Sequence, residues 1–414
     1  MSSLHLTLLD ATAPDWPKVV AQMDRLLRPD QGPYLLPRHF VQVVLPAIGG
    51  HLARLERQEH TVGYAVLLPR ALDRGVPVFT LRCHPLEPNP PWSPEELQEA
   101  AGRALPGAQV VPYDPRAPHT FSPTSHRQNG LDLGRPSPEE AQAIPELQQR
   151  IWGNPPDQLY PVDIHSQEFR LATSLVARVE GRPVGFLLGF FRFDSHPLPP
   201  CWAARFQARL RIESQTLGVL PAYRGRHIGF HLKRLQALQA QAQGIHLVHW
   251  TVDPLLWPNA VLNFVRLRAI ATEFHPNYYP LHNALNRVAP SRFRLTWLVA
   301  TERVRRAWAQ TDSQAPVDLS RAADVVWVNR GERQAHLSVD APRIAVEIPR
   351  DWTRMQREEP ARARRWRSVT DALFQHYLGT EPGRYVVTQV GVAGKRRALI
   401  ARRVDEGLLD ELAR

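Results

Sequence analysis

Leu217-Gly-Val-Leu-Pro-Ala-Tyr-Arg-Gly-Arg-His-Ile-Gly229 is the stretch that decides how this 414-residue chain folds and what it binds. It begins as a short apolar strand, turns at Pro221, continues as a loop rich in arginine and glycine, and then starts a helix. Backbone N–H groups collect at the N-terminus of a helix, where the helix dipole favours negative charge. With two arginines beside them, these groups predict a site for a phosphate-bearing ligand.

The segments around this loop predict a mixed sheet made mostly of antiparallel strands. Ser137-Pro-Glu-Glu140 is a capping box, so a helix should begin there, and Pro145 should kink or divide it. Apolar runs on either side of Glu180-Gly-Arg-Pro183 indicate a hairpin, and a Pro-rich loop follows at 194–200. The expected elements are a helix at 137–152, strands at 171–179, 184–191 and 209–219, a helix from 228 that stops at Gly244, a strand at 245–252 and a helix at 259–267.

The length of the chain exceeds what one core supports, so we expect more than one domain. Proline-rich stretches at 85–94 and 112–123 mark the predicted joints. The predicted division is an N-terminal α/β region at 1–125, a central ligand-binding domain at 126–290 and a C-terminal α/β extension at 291–414. A pattern of helix, hairpin and strand recurs along the chain, which would fit a tandem duplication.

Several classes of protein are disfavoured by composition. The sequence contains no apolar run of about 18 residues, so no membrane-spanning helix is predicted. The first ten residues do not resemble a secretion signal. The two cysteines, Cys83 and Cys201, lack metal-ligand spacing, which argues against a disulfide scaffold and fits a cytoplasmic location. A hydrophobic content of 43% and a charged content of 22% are typical of a globular protein.

The formal net charge of +11 raises the possibility of nucleic-acid binding. However, 48 of the 51 basic residues are arginine, a bias typical of genome composition, and they are scattered along the chain with one denser patch at 354–367. An Arg-rich, RNA-associated protein is therefore the least favoured class. A basic surface that attracts an anionic cofactor explains the charge better.

The order of strands, Arg/Gly loop, helix, strand and helix resembles the GNAT superfamily of acyl-CoA-dependent N-acyltransferases. Arg224 and Gly229 match the family's loop pattern, but His227 stands where the middle glycine is usual. This departure is tolerable if His227 takes the helical conformation of that position, although its side chain would lie close to the pyrophosphate. The implied fold class is α/β (α+β): a GNAT-like mixed, mostly antiparallel sheet flanked by helices, with additional N- and C-terminal α/β regions.

Motifs downstream extend the resemblance to an uncharacterised subgroup of predicted acetyltransferases, over roughly residues 133–405. They are Thr251-Val-Asp-Pro-Leu255, Asn259-Ala-Val-Leu-Asn263, Asn277-Tyr-Tyr279, Arg292-Phe-Arg-Leu-Thr-Trp297 and Glu347-Ile-Pro-Arg-Asp351.

The resemblance implies acetyl-CoA, or another acyl-CoA, as co-substrate. Loop and helix N–H groups would bind the pyrophosphate, and the strand end would pair with the pantetheine arm. As alternatives, Asn259 would cap its helix and Asn263 would be an exposed polar position. The residues implied in cofactor binding are Leu217, Val219, Arg224, Gly225, Arg226, His227, Ile228, Gly229, Phe230, Asn259 and Asn263.

Acyl transfer to an amine requires a base, because an alkyl ammonium has a pKa of about 10. Glu213 lies six positions before Val219, so both side chains should point to one face of the strand, and several GNAT enzymes use a glutamate near there. The alternative for Glu213 is an ion-paired or surface carboxylate. Phe264 stands where the family often has a tyrosine as general acid, which leaves Tyr278, Tyr279 or solvent for that role.

The leading hypothesis is an N-acyltransferase in which the amine attacks the thioester directly in a ternary complex. Cys201, in the predicted loop, is interpreted as a small filler and not as an acyl carrier. The rival hypothesis, which Phe264 favours, is a weak or inactive CoA-binding regulatory protein. We expect an amine acceptor that is a small molecule or a peptide, no membrane, and either a monomeric pseudo-dimer or a homodimer. His227 and His231 on the helix, and His246 and His249 on the next strand, cannot easily converge, so no metal is predicted.

Overall fold

The computed structural model describes residues 3–128, 130–193, 198–206, 209–280, 287–309 and 315–414. The chain forms two compact units, residues 1–196 with 209–236 and residues 197–208 with 237–414. The predicted division into three regions remains a prediction. The predicted loop at 194–200 falls partly outside the described residues, which resume at Leu198.

The first unit opens with a five-stranded sheet whose strands lie in chain order. Neighbouring strands are antiparallel, except for the last pair, which is parallel. Apolar side chains of this sheet pack against helix 94–104, which begins at a capping box formed by Ser93 and Glu96. The elements are β1 (His5–Leu8), α1 (Trp16–Gln31), a 3₁₀ turn (Gly32–Tyr34), a π-helix (Phe40–Val44), α2 (Leu45–Ala47), β2 (His51–Arg57), β3 (His60–Asp73), β4 (Val76–Pro85), α3 (Pro94–Ala104) and β5 (Gln109–Tyr113).

A second set of strands in the first unit leads to the predicted loop. Each strand is antiparallel to the next. The described elements are β6 (His126–Gln128), β7 (Leu131–Gly134), α4 (Pro138–Trp152), 3₁₀ turns (Pro156–Gln158 and Val162–His165), β8 (Thr173–Val179), β9 (Arg182–Phe193), β10 (Leu210–Val219), a 3₁₀ turn (Pro221–Tyr223) and α6 (Ile228–Ala242). Helix α5 (Pro200–Phe206) lies between β9 and β10 in the chain and belongs to the second unit.

Local sequence explains two of these elements. The β8–β9 hairpin turns at Glu180 and Gly181, whose φ angles of +52° and +75° give the two left-handed residues of a tight turn that matches strand twist. Helix α4 begins at the predicted capping box of Ser137 and Glu140. It continues through Pro145 as one helix, so Pro145 does not divide it, and the predicted alternative of a kink stays a prediction. A proline removes only one helical hydrogen bond, which the surrounding packing offsets.

The sheet strands of the second unit follow the order β11-β13-β12-β19-β20-β18-β15. Its pairs are antiparallel except β15 with β18, and β14 lies parallel to β19. These strands are β11 (Leu247–Val252), β12 (Ile270–His275), β13 (Arg292–Leu298), β14 (Val317–Asp318), β15 (Val325–Trp327), β16 (Asn329–Arg330), β17 (Gln334–Ala335), β18 (Arg343–Ile348), β19 (Tyr385–Ala393) and β20 (Arg396–Arg403).

The helices of the second unit depart from prediction in two places. Cys201 lies in helix α5 and not in a loop, and the neighbouring Trp202 donates to the carbonyl of Leu409 at 2.6 Å. The predicted helix 259–267 is a short α-helix that continues as a π-helix. The helices after α6 are α7 (Trp257–Ala260), a π-helix (Val261–Arg266), α8 (Glu302–Ala309), α9 (Trp352–Glu358), α10 (Pro360–Tyr377) and α11 (Leu408–Leu412).

The predicted fold class is confirmed: the chain is a mixed α/β protein whose sheets are mostly antiparallel and flanked by helices. Within the described ranges, no helix combines the length and the apolar character that a membrane crossing requires.

Candidate functional site

The end of β10 turns sharply before the loop begins. The N–H of Leu220 donates to the carbonyl of Val184 at 2.9 Å, which continues the pairing with β9 for one residue. The 3₁₀ turn then reverses the chain, and the Nε of Arg224 donates to the carbonyl of Val219 at 3.4 Å. Strand end and loop are thereby joined in one local structure.

Residues Arg224–His227, called the anion loop below, are all solvent-exposed. Gly225 has φ +84°, a left-handed conformation that glycine adopts at no steric cost. His227 has φ +56°, so it does not take the helical conformation on which tolerance of this departure from glycine was conditional. Its position is one that glycine suits best, and a histidine there carries backbone strain of about 1 kcal/mol.

Helix α6 begins immediately after this loop. Its first intrahelical bond runs from the N–H of His231 to the carbonyl of His227, at 3.1 Å. The N–H groups of Ile228, Gly229 and Phe230 therefore precede any intrahelical acceptor, as in the first turn of every α-helix. The side chains of Ile228 and Phe230 are buried, which fixes the helix end under the loop. The arrangement presents a row of N–H donors to an anion.

The strand before the loop has two distinct faces. Leu217 pairs with Leu187 and Val219 with Gly185, and the Val219 side chain lies on the side of α6. Gly218 lies between them on the side of α4, where an added Cβ would approach Trp152 to 2.9 Å. This glycine lets α4 pack directly against the strand end. Leu217 and Val219, the residues predicted to meet pantetheine, are both partly exposed.

A β-bulge interrupts β10 between Glu213 and Thr216, which pair with Phe190 and Leu188 of β9. One extra residue on β10 shifts the alternation of side chains by one position. Glu213 consequently shares the face of Phe190, opposite to the face of Val219. The expectation that Glu213 and Val219 point to one face is wrong, because spacing alone does not reveal a bulge.

Glu213 is 6% exposed and accepts a hydrogen bond at 2.9 Å from Arg192, which is also buried. The arrangement is the ion pair of the alternative interpretation. A catalytic role for Glu213 remains a prediction.

Lys233 is a polar residue that the sequence interpretation overlooked. It is 3% exposed, and its Nζ donates to Ser214 in the bulge at 2.8 Å and to Gln236 at 3.4 Å. Burial lowers the pKa of Lys233 well below its ordinary value, and the nearby Glu213 partly opposes that change. The available signal was that Lys233 is one of only three lysines in an arginine-rich chain.

In the second unit, the two predicted asparagines lie in different surroundings. Asn259 is exposed in the first turn of α7, whose N-cap is Leu256, so Asn259 does not cap this helix. Asn263 is 3% exposed in the π-helix, contrary to the alternative of an exposed position. Phe264, next to it, is 1% exposed and has no group that could donate a proton.

The two tyrosines that could act as a general acid also belong to the second unit. The hydroxyl of Tyr279 lies 3.0 Å from the Oγ1 of Thr251 at the end of β11. Arg294 donates to the hydroxyl of Tyr278 at 3.4 Å, and the two rings meet edge to face. Of the two hydroxyls, that of Tyr279 accordingly lies nearest to a strand end with a motif of the predicted subgroup.

The predicted histidines lie in different local environments. His249 lies 3.2 Å from the hydroxyl of Thr296 through its Nδ1, and partial burial lowers the pKa of His231, as do the charges of Arg234 and His227. In the part of the chain that the structure describes, no group of three or more His, Cys, Asp or Glu side chains is placed to hold a metal ion.

Comparison with known proteins adds evidence on the region around the loop. Residues 141–256 match the sequence model of the Acetyltransferase (GNAT) family, a span that includes β8, β9, β10, the anion loop, α6 and β11. The wider extent of the resemblance, to residues 133–405, remains a prediction. A comparison with curated proteins finds no match.

Solved structures similar to this chain include N-acetyltransferases, all at low identity. The ribosomal-protein-S18-alanine N-acetyltransferase from Escherichia coli is 11% identical (TM-score 0.31), covering 41% of this chain and 95% of that one. Arabidopsis thaliana Naa50, in complex with a bisubstrate analogue, is 14% identical (TM-score 0.31; 40% and 97%). The putative acetyltransferase yncA from Salmonella typhimurium, with acetyl-CoA, is 15% identical (TM-score 0.31; 42% and 96%).

The match spans the strands, loop and helix described above, and residues 141–256 of this chain are similar to the GNAT acetyltransferase family.

Proposed function

We propose that this protein transfers an acyl group, most simply acetyl from acetyl-CoA, to the amine of a small molecule or peptide. The amine attacks the thioester directly in a ternary complex. No metal takes part in this chemistry. A cytoplasmic location, and a monomeric pseudo-dimer or a homodimer, belong to the same proposal.

The anion loop is the observation that carries this proposal. Gly225 and His227 both adopt left-handed conformations just before α6, and left-handed residues in a turn are typical of backbone concavities whose N–H groups bind anions. A pyrophosphate bound there would gain hydrogen bonds from the helix end and a favourable interaction with its dipole. Arg224 and Arg226 add positive charge at the exposed rim, with Arg226 lying over the ring of Tyr223.

The acyl group would react beside the end of β10. Leu217 and Val219 would pair with the pantetheine arm, and a backbone N–H near Val219 would stabilise the thioester oxygen as it becomes negative. Asn259 and Asn263 would complete the cofactor contacts. Phe264 cannot supply a proton to the leaving thiolate, so Tyr278, Tyr279 or solvent is left for that role.

Glu213 is the proposed base, acting through water. Its Oε2 is engaged by Arg192, so this role requires the other carboxylate oxygen, Oε1. Glu213→Gln separates this role from a structural one. A base is lost in the variant, so kcat should fall by about 100-fold while the Kd for acetyl-CoA stays unchanged. A variant with normal kcat and a lower melting temperature would assign Glu213 to the ion pair alone.

A regulatory protein that binds CoA without catalysis is the second candidate, and buried Phe264 at the expected tyrosine position is the observation that favours it. Calorimetric titration with acetyl-CoA tests the proposal first, followed by thiol release in the presence of a panel of amines. Binding with thiol release supports the enzyme. Binding without release from any amine would favour the regulatory protein, and absence of binding would exclude both.

A further inference from the structure

The second unit contains a cavity of about 480 Å³ that the acyl-transfer chemistry does not use. We call it the arginine pocket, and five arginines but only two glutamates line it. Its charged and polar lining consists of Arg268, Glu302, Arg303, Arg306, Thr388, Gln389, Arg402, Glu411 and Arg414.

Ion pairs account for part of this charge. Arg402 holds Glu411 through two hydrogen bonds of 2.7 Å. Arg306 donates to Glu302 at 2.9 Å, and Arg414 pairs with Asp410 outside the pocket. Both glutamates are therefore already engaged. Arg268 and Arg303 form no ion pair with any residue in the described part of the chain.

These two arginines are adjacent and only partly exposed. Arg303 donates to the backbone carbonyl of Arg268, and its Nε is shielded from solvent without a hydrogen-bond partner among the described residues. Burial, together with the charges of Arg268 and Arg402 and against the opposing effect of Glu411, lowers the pKa of Arg303 to about 9. Like charges held together away from water destabilise a fold unless an anion accompanies them.

The backbone also directs polar groups into this cavity. Arg268 has φ +57°, a left-handed conformation that is strained for an arginine. Thr388 is the extra residue of a β-bulge in β19, where Val387 pairs with Ala401 and Gln389 with Ile400. Its side chain is 4% exposed, and its hydroxyl has no hydrogen-bond partner in the described structure. An unsatisfied buried hydroxyl costs stability, and bulges often aim a side chain at a ligand.

We propose that the arginine pocket binds a small phosphate-bearing anion, held by Arg268 and Arg303 and by the hydroxyl of Thr388. A guanidinium presents paired N–H donors that match two phosphate oxygens, and a hydroxyl donates to a third. A single phosphate does not fill the cavity, so the natural ligand carries further groups. This site is independent of the acyl-CoA site and of the proposed acyl transfer.

Pyrophosphate is the probe for this site, with the full-length protein at constant ionic strength set by NaCl. In the wild type, millimolar pyrophosphate should raise the melting temperature and give saturable heat on titration. Arg268→Gln should weaken the affinity by about tenfold, as expected for a lost charge-assisted hydrogen bond. Arg305→Gln is the matched control: Arg305 lies on the same helix α8, is exposed, and does not line the pocket. Its ion pair with Glu302, at 3.0 Å, is duplicated by Arg306, so Glu302 stays paired in this variant.

Thr388→Val keeps the shape of the side chain and removes only the hydroxyl. It should raise the melting temperature of the unliganded protein by about 2 °C, because an unsatisfied buried group is lost. It should also weaken pyrophosphate binding by about fivefold. The higher melting temperature and the weaker pyrophosphate binding of Thr388→Val test the proposed site even if Arg268→Gln fails to fold.

Three outcomes would overturn the proposal. The first is that the wild type shows no saturable binding of pyrophosphate. The second is that both pocket variants bind pyrophosphate as well as Arg305→Gln does. The third is that Arg224→Gln in the anion loop loses pyrophosphate binding while the pocket variants keep it, which would assign binding to the loop.

Discussion

The anion loop and the arginine pocket both bring arginine side chains together, but they differ in access to water. The loop consists of four consecutive exposed residues at the start of α6. The pocket is assembled from the start of β12, helix α8, strands β19 and β20 and the C-terminal helix, and its central arginines are partly buried. An arginine side chain therefore affects the stability of the fold differently in the two places.

Water solvates the arginines of the loop, so an empty loop costs little stability. In the pocket, Arg268 and Arg303 form no ion pair in the described structure, burial lowers the pKa of both, and the charge of Arg268 lowers that of Arg303 further. A ligand of the loop should thus appear mainly as a binding affinity. A ligand of the pocket should also relieve repulsion that the empty fold carries, and so raise stability by mass action and by charge compensation.

The largest expected effect concerns the conformation of the loop. Gly225→Val should weaken the binding of CoA by about 30-fold, because a β-branched residue resists φ +84° at a cost of about 2 kcal/mol. The loop then leaves the conformation that presents its N–H groups. Calorimetric titration with CoA measures this change.

Gly107→Val is the matched control for that experiment. Gly107 has φ +85°, and an added Cβ would meet nothing within 4 Å at either glycine. Both variants should lose similar stability from backbone strain, but Gly107→Val should bind CoA normally. Equal CoA affinity in the two variants would show that the loop is not the phosphate site.

A smaller effect is expected when the same substitution, arginine to glutamine, is made in each of the two regions. Arg268→Gln should stabilise the unliganded protein by about 1 kcal/mol, because it removes one of two repelling charges. Arg224→Gln should change stability by less than about 0.5 kcal/mol, as surface substitutions usually do. Urea unfolding in phosphate-free buffer measures both. A destabilised Arg268→Gln would mean that Arg268 is already compensated, and would remove the difference between the regions.

Contiguity explains what could be predicted from sequence. The anion loop, the β8–β9 turn and the start of α4 each depend on a few consecutive residues with definite turn or capping chemistry, and all three were predicted. The orientation of Glu213 was not, because the bulge at 213–216 depends on the pairing with β9. A one-residue irregularity leaves no mark in the pattern but reverses every side chain beyond it.

Long-range assembly explains the rest. Lys233 and Asn263 are buried polar residues whose burial depends on packing, and spacing along a helix does not show which face is covered. The arginine pocket joins Arg268 with Arg303 and Thr388, which are separated by up to 120 positions in the sequence. In a chain with 48 arginines, no local composition marks the few that lack partners.

Salt should distinguish the two sites by a few-fold. Raising NaCl from about 0.1 M to about 1 M shortens the screening length from about 10 Å to about 3 Å. Exposed charges are screened most, so CoA binding at the loop should weaken by about fivefold, and pyrophosphate binding in the pocket by less. Titrations at the two concentrations measure the ratio. A stronger salt effect on the pocket would show that its arginines are solvated.

The smallest expected effect is at His227, the residue that departs from the family's glycine. His227→Gly should stabilise the protein by about 0.5 kcal/mol, because relief of the strain at φ +56° slightly exceeds the entropy that glycine adds to the unfolded chain. It should also improve CoA affinity by about twofold, since a side chain beside the pyrophosphate is removed. His227→Asn, a residue that tolerates the left-handed region, should lie between glycine and histidine, and His227→Ala should give no gain. If His227→Ala and His227→Gly improved CoA affinity equally, the side chain and not the backbone conformation would set the affinity of the loop. Exposure to water alone would then not explain how the loop differs from the arginine pocket.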